Sequence, residues 1–430
     1  MDQFYDEVQE PVSPHGHYFN SSVICSYVFG FLEMAVPIDD SQTIPLLEDV
    51  FLPINPRFSS IMVRDQAGKM RWKRVQVNPE EHVKVPRFPE CNSAELYEQY
   101  FDDYVTRILN ERTPQNKPLW EIHLIKYPTS SAAGTIIFKF HHSLGDGYSL
   151  MGALLSCLQR TDDPSLPLTF PSNSQHAKKN MFKLHSVISS LFSSMLDFGS
   201  SIIKTRMIED DKTPIRSGYE GTKPKYFTLS NISLSLDHIK AIKSNLGVEM
   251  QKPKVQGLWG NKISFLQIPI PKLSQSKISN PLEFVWNARK LIKRKRHSFS
   301  VYLIGLLLDL EMKLRGPEVA SKTFYNTLGN CSVLISNMFG PMEQMALANH
   351  PVSGVYFAMS GGPQNVNVEI MSYVGELRIT SKTLKGFIDE QKFKFCIEKA
   401  FDEIFKDAME IYEIPKWDIY MEILISGGAV

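Results

Sequence analysis

The sequence predicts a mixed α/β protein, and three observations carry that expectation. Strand-like alternation and helix-like periodicity interleave along both halves of the chain, as when helices cover sheets. The 430 residues are enough for two to three cores or for one large two-lobed body. A stretch rich in Pro, Ser and Asn, "TDDPSLPLTFPSNSQHAKKN" at 161–180, breaks the pattern and reads as a linker. The expected organisation is a first lobe over 1–165, an intervening segment over 166–215 and a second lobe over 216–430.

Each element has its own signal. "SSVICSYVFGFLEMAVPI" reads as a buried strand and turn despite Glu33. In "SAELYEQYFDDYVTRILNE", Leu96, Tyr100, Tyr104 and Leu109 recur near helical spacing. "WEIHLIKYP" alternates until Pro128 stops it, and "SSAAG" makes a turn. "TIIFKFHH" resumes as a strand and "GYSLMGALLSCLQR" follows as a helix. In the second half, "KYFTLSNISLSLDHIKAIKSNLG" reads as strand, cap and helix, with Ser235 and Asp237 supplying the helix start. Then come "NKISFLQIPI" as a strand, and "PLEFVWNARKLIKRKR" and "FSVYLIGLLLDLEMKLR" as helices. "CSVLISNMFGP" reads as a strand ending in a turn, "NVNVEIMSYVGELRITS" as a hairpin, and a last helix begins at about residue 386.

Composition excludes several classes. With 47 basic and 46 acidic residues the net charge is +1, which provides no general field for nucleic acid. The five cysteines are scattered and form no C-x-x-C, so a disulfide framework or a zinc site is not expected and a reducing compartment fits. The acidic N-terminus lacks the pattern of a secretory signal. No stretch reaches the ~18 consecutive apolar residues of a confident membrane span. "FKLHSVISSLFSSMLDFGSSIIKTR", 182–206, mixes apolar residues with serines and has basic flanks. It suits a helix lying at a bilayer surface, or equally an amphipathic core helix. The basic run "RKLIKRKR", 289–296, reads first as a solvated helix face, with CoA phosphates or a bilayer surface as secondary partners.

The segment "FKFHHSLGDGYSL", 138–150, carries the chemistry. Alternation along a strand puts Ile136, Phe138, Phe140 and His142 on one face and Ile137, Lys139 and His141 on the other, so the two histidines cannot share a task. Asp146 and Gly147 stand at a helix entrance, where the aspartate can cap the helix or hold a cation. A neutral histidine with an ordinary pKa of about 6.5 can accept a proton from an alcohol. Ser143 is adjacent but sits in no nucleophile-elbow pattern, so the attacking hydroxyl would belong to the substrate. His142 and Asp146 have an i, i+4 spacing that could hold a metal on a helix, but Gly145 and Gly147 argue against a helix there and no third ligand is evident. Two histidines that are merely hydrogen-bonded remain the structural alternative.

The H-H-x-x-x-D-G pattern of His141, His142, Asp146 and Gly147 resembles the signature of the two-lobed CoA-dependent acyltransferases, the chloramphenicol acetyltransferase-like and condensation-domain-like proteins. Within that group the chain is most similar to the plant bifunctional wax ester synthase/diacylglycerol acyltransferases. "NKPLWEIHLI" with Pro118, Leu119, Trp120 and Glu121, "LWGNKISF" with Trp259, Gly260 and Asn261, "ISNMFGP" with Ser336, Asn337, Gly340 and Pro341, and "NVEIMSYVGELRI" match that family's blocks in order, from about residue 10 to about 405. The resemblance implies an α/β fold of two lobes with a channel between them, and transfer of a fatty acyl group from acyl-CoA to a fatty alcohol or a diacylglycerol. It implies no metal and no cofactor beyond acyl-CoA as co-substrate. It makes His142 the base, Asp146 an architectural residue ordering its loop through an ionic contact, and His141 and Gly147 supporting residues. A Ser336–Asn337 turn across the channel would help polarise the carbonyl. With the apolar segment 182–206, it also implies association with the endoplasmic-reticulum membrane, the plasma membrane being the alternative. Only "VEMQKPKVQGL" separates the helix ending near 247 from the Trp-Gly-Asn block, so the second lobe reads as shortened, and an inactive lipid-binding remnant is the alternative function.

Overall fold

The computed structural model describes residues 10–91, 93–169, 213–215, 226–247, 259–260, 266–270, 280–296 and 300–413. In chain order the strands are β1 (Tyr27–Met34), β2 (Ser60–Arg64), β3 (Met70–Arg74), β4 (Val83–Lys84), β5 (Trp120–Ile125), β6 (Gly134–His141) and β7 (Gln159–Arg160), followed by β8 (Phe227–Ser235), β9 (Leu334–Phe339), β10 (Met345–Leu347), β11 (His350–Met359), β12 (Val366–Tyr373) and β13 (Glu376–Leu384). The principal helices are α1 (Pro14–Phe19), α2 (Ala94–Asn110), α3 (Gly147–Ser156), α4 (Leu236–Asn245), α5 (Pro281–Arg296), α6 (Ser300–Arg315), α7 (Pro317–Gly329) and α8 (Glu390–Glu413).

Local signals account for many boundaries. Ser93 starts α2 by accepting from Leu96 N, and the helix buries Phe101, Tyr104, Val105, Ile108 and Leu109 along one stripe. Ser235 starts α4 by accepting from the N–H groups of Asp237 and His238. All eight residues of β1 and all eight of β6 are buried, which their near-continuous apolar runs demand of strands covered on both faces.

Two sheets form the frame. A seven-stranded sheet runs β4-β5-β6-β1-β11-β10-β7, and a four-stranded sheet runs β8-β13-β12-β9. β1 lies between β6 and β11, antiparallel to both, so the first sheet is completed by strands from the last third of the chain. On one face of β1 and β6, Leu32, Phe138, Phe140, Trp120 and Phe58 pack together. On the other, Phe29, Phe31 and Ile137 pack against α2 and against Phe227 and Leu384 of the second sheet. Side chains as deeply buried as Phe29, Phe31 and Leu32 contribute about 1.5–3 kcal/mol each.

Glu33 sits inside this strand because the second sheet supplies its partner. Its carboxylate meets Arg378 of β13 at 2.5 Å and accepts from Ser131 at 2.8 Å. In register across β1 and β11 stands Gly354, where a Cβ would lie 2.1 Å from the Glu33 carboxylate. The missing side chain is the room the ion pair occupies.

Two sequence expectations need correction. Ser336 and Asn337 are not a turn: they lie inside β9, paired in parallel with Glu369 and Ile370 of β12, and the chain bends only beyond Phe339. The parallel ladder with β12, a strand about 30 residues away, extends β9 past the point where local sequence suggested a stop. Residues 266–270 of "NKISFLQIPI" are irregular, and the rest of that segment lies outside the described residues. Segment 182–206 also lies outside them. No described helix is long and apolar enough to cross a membrane. Arg289, Lys290, Lys293, Arg294 and Arg296 of α5 are exposed, as expected of a solvated face.

Candidate active site

The histidines stand where β6 ends. The His141 N–H donates to Leu119 O at 2.9 Å, so the Pro-Leu-Trp segment before β5 holds the strand to its last residue. Trp120 in turn donates from Nε1 to Phe58 O at 2.8 Å and stacks on His82 at 4.2 Å. The next residue, His142, donates its N–H to Ser26 O at 2.8 Å, and the Ser26 hydroxyl donates to Ser360 O at 2.8 Å. Backbone and hydroxyl contacts from both ends of the chain thus fix where the strand stops.

The side chains diverge as alternation requires. His141 lies on the Ile137 face: its ring meets Tyr27 edge-on at 4.9 Å, its Nδ1 is 2.7 Å from Ser143 Oγ and its Nε2 is 3.7 Å from Cys25 Sγ. Because the Ser143 N–H donates to Nδ1 at 3.2 Å, Nδ1 is the acceptor and the ring proton sits on Nε2. His141 is therefore committed at both nitrogens. Its hydroxyl neighbour is committed with it, since Ser143 is 1% exposed and bound to the wrong histidine to serve as a nucleophile for His142. The His142 ring instead stacks on Phe19 of α1, with centroids 4.2 Å apart and planes within 12°.

Burial sets the electrostatics. It pushes the His142 imidazole down to about 4, against the hydrogen bonding of its own backbone, the charge of Asp146 and the backbone of Gly145, and with His15 adding to the depression. Burial pushes His141 down to about 3, helped by the neighbouring charges of His142, Arg112 and Lys139. Both rings are neutral at neutral pH, and a neutral ring is what can take a proton.

The loop after the histidines is held from the second half of the chain. Asp146 caps α3, its Oδ1 accepting from Ser149 N at 2.9 Å, while its own N–H donates to Gly260 O at 2.9 Å. The Ser149 hydroxyl also donates to Gly260 O, and the Gly260 N–H donates back to that hydroxyl, both at 3.1 Å. Trp259 Nε1 and Arg57 Nη1 both donate to Leu144 O, at 3.0 and 3.1 Å. Arg57 is itself paired with Glu10 at 2.6 Å. A Cβ on Gly145 would lie 3.0 Å from Ser149 Cβ, and one on Gly147 would lie 2.8 Å from Met338 Sδ of β9. Gly147 admits β9 of the second sheet to the loop, and Gly145 admits the start of α3 and the Trp259–Gly260 segment.

His142, Asp146 and Gly147 thus lie on one short segment while His141 turns to the opposite face, and on β9 Ser336 shares the face of Met338, which approaches Gly147, whereas Asn337 is exposed on the other face. Several supporting residues were not singled out by sequence: Phe19, Ser26, Arg57 and Ser149. Only Ser149 had a local signal, the Asp-x-x-Ser spacing of a helix start; the others reach the loop across the fold.

Two family models match the chain: the wax ester synthase/diacylglycerol acyltransferase catalytic domain over residues 52–251 and the WS/DGAT C-terminal domain over residues 259–405. The chain is 26% identical over 452 residues to wax ester synthase/diacylglycerol acyltransferase 4 of Arabidopsis thaliana, covering 87% of this chain and 85% of that relative. It is 26% identical over 463 residues to the Arabidopsis protein numbered 11, covering 90% and 92%. Among solved structures it matches a wax ester synthase/diacylglycerol acyltransferase from Marinobacter aquaeolei VT8 with a TM-score of 0.57 at 15% identity, covering 93% of this chain and 99% of that one. The first condensation domain of the calcium-dependent antibiotic synthetase matches with a TM-score of 0.52 at 11% identity, covering 94% and 96%.

Proposed function

We propose, for a chain that belongs to the wax ester synthase/diacylglycerol acyltransferase family, a direct acyl transfer from acyl-CoA to a lipid hydroxyl with His142 as the base. The acceptor is a fatty alcohol, giving a wax ester, or a diacylglycerol, giving triacylglycerol. The hydroxyl oxygen attacks the thioester carbonyl as neutral His142 takes the hydroxyl proton. The tetrahedral intermediate then collapses, the C–S bond breaks, and the imidazolium returns the proton to the leaving CoA sulfur. No protein nucleophile takes part.

The observation that carries this reading is the division of labour between the histidines. His141 is held by Ser143 and Cys25 on one face, whereas His142 stands on the opposite face, stacked on Phe19 beside the Asp146 loop, and is the proposed base. Asp146 acts through the loop as the cap of α3, and Gly147 lets Met338 of β9 approach. Ser336, on the same face of that strand as Met338, is the proposed donor to the thioester carbonyl, whereas Asn337 is exposed on the opposite face. The exposed basic face of α5 supports contact with CoA phosphates or with a bilayer. Residence at the endoplasmic-reticulum membrane is part of the proposal, because both acceptors are membrane-soluble lipids.

The test is expression in a yeast strain unable to make storage lipid, supplied with labelled acyl-CoA and either acceptor, beside His142→Ala. Ester that forms with the unaltered chain and disappears with the variant supports the reading, and fractionation of the same cells tests the membrane. A folded protein that makes no ester with either acceptor overturns it.

A further inference from the structure

One buried carboxyl takes no part in the transfer described above. Glu369 of β12 is 1% exposed; its Oε1 accepts from the Met359 N–H at 3.4 Å, while Oε2 has no hydrogen-bond partner among the described residues. An unmet buried oxygen costs about 1–3 kcal/mol, which asks for a partner in the working state. The register of the sheet points to one. Glu369 is paired with Thr380 of β13 on one side and with Ser336 of β9 on the other, and such partners share a face of the sheet. The Thr380 hydroxyl is committed, donating to Asn231 Oδ1 at 2.8 Å. The hydroxyl that remains is that of Ser336, on the strand whose Met338 approaches Gly147. Glu369 also stands at the histidine end of the fold. Met359 is followed by Ser360, whose carbonyl accepts from the Ser26 hydroxyl, and Ser26 O accepts the His142 N–H.

We propose that Glu369 is a positioning residue for the transfer: its carboxyl O–H donates to Ser336 Oγ and so turns the serine O–H toward the thioester carbonyl. The inference rests on the acyl-transfer reading and on the role given there to Ser336. The oxygens divide accordingly, Oε1 accepting from Met359 and Oε2 carrying the hydrogen. Burial pushes this carboxyl up to about 8, against the charge of Lys382 and the Met359 N–H, so at neutral pH it is an un-ionised acid with a hydrogen to give. The charged groups around it are both on β13. Lys382 lies with its Nζ 4.4 Å from the Phe227 ring centroid, and the Asn367 amide, turned to suit, accepts from it at 3.1 Å. Arg378 is held by Glu33 at 2.5 Å. From β9 and β11 the facing groups are Ser336, Met338 and the Met359 backbone, none of them charged. An acid donating to a hydroxyl that itself donates to a carbonyl forms a chain whose members strengthen one another. Ionised, the carboxylate can only accept, and it draws the serine O–H away from the substrate.

The test is the pH dependence of transfer by the full chain, read as ester formed from an acyl-CoA and a fatty alcohol, beside Glu369→Gln, Glu369→Leu and Ser336→Ala. The kcat of the unaltered protein should fall about tenfold between pH 7 and pH 9 as Glu369 ionises. His142, which titrates near 4, adds nothing to that limb. Glu369→Leu should lower kcat at pH 7 by about ten- to a hundredfold with KM little changed. Glu369→Gln, which still has an N–H to donate and cannot ionise, should restore most of that loss and abolish the alkaline fall. Ser336→Ala should lower kcat by about 10²–10³-fold and also lack the fall. A merely structural Glu369 would move melting temperatures and leave the shape of the profile alone. An alkaline fall that persists in Glu369→Gln or in Ser336→Ala, or its absence from the unaltered protein, overturns the proposal. Where Glu369→Gln does not fold, the unaltered profile and Ser336→Ala decide the matter. The two readings fail separately. No ester from the unaltered chain overturns both, whereas ester formation with one pH profile for every protein removes the role of Glu369 and leaves the transfer.

Discussion

Trp259 donates its indole N–H to the Leu144 carbonyl at 3.0 Å, joining residues 115 apart in sequence across the loop that follows the histidines. The same carbonyl accepts from Arg57, so one oxygen ties the N-terminal lobe, the histidine loop and the Trp-Gly block together. Trp259→Phe keeps the ring that packs on Phe58 at 5.5 Å and removes only the donor. The expected result is a fold of unchanged far-ultraviolet signal, a stability loss of about 1 kcal/mol by denaturant titration, and a lower kcat with KM little changed.

His142→Ala should lower ester formation by about two to four orders of magnitude with the protein still folded. His141→Ala should act mainly on stability, because it removes the partner of the buried Ser143 and the ring packed on Tyr27. Comparing transfer rates with melting temperatures for the two variants separates the roles. Equal loss of rate in two equally stable variants would contradict the division described above.

The pH dependence of stability has a fixed sign. Folded His142 and His141 titrate near 4 and 3, below the ordinary 6.5 of an exposed imidazole, so the unfolded chain binds protons first as pH falls. Their contribution is complete above about pH 6.5 and drains away between there and pH 3–4. The melting temperature should be flat with respect to these two groups above neutrality and should fall below it, and His142→Gln should flatten the upper part of that fall. Transfer activity should lose its base only as pH approaches about 4.

Glu121 faces Lys139 at 3.1 Å, and Lys139 is 1% exposed. Burial would raise the Glu121 carboxyl, but the nearby His123 ring, 3.7 Å away, and the Lys139 charge outweigh it and hold the group at about 2. Glu121→Ala strands a buried ammonium and should cost about 3–5 kcal/mol, whereas the pair of changes Glu121→Leu and Lys139→Met should cost much less. Denaturant melts of the single and double variants decide it.

Gly354→Ala should be strongly destabilising, because its Cβ would lie 2.1 Å from the Glu33 carboxylate and would displace it from its buried ion pair with Arg378. Gly147→Ala meets only the Met338 thioether, 2.8 Å away, which is the flexible end of a side chain. It should fold, lose some activity, and recover when Met338→Ala is added. Expression yield and melting temperature read the first variant, and transfer rate reads the second.

Sequence alone determined several local elements, among them β1, α2, β5, β6, α3 and α4, and singled out the histidine segment. The alternation of "TIIFKFHH" placed the histidines on opposite faces, because a strand has a period of two whatever it packs against. Asp146 and Ser235 announced the starts of α3 and α4, since a cap acts within one turn of its own helix. Tertiary structure decided the rest. That β1 pairs with β11, that β9 continues through Ser336 and Asn337, and that Trp259, Gly260 and Arg57 close on Leu144 and Asp146 are contacts between segments far apart in the chain. Each depends on which strand edge and which loop the fold brings near, and no residue carries that information in its neighbours. The choice between the two histidines was divided in the same way. Periodicity separated them; the contact of His141 with Ser143 is local, and its contact with Cys25 forms only when the chain before β1 is brought beside the end of β6.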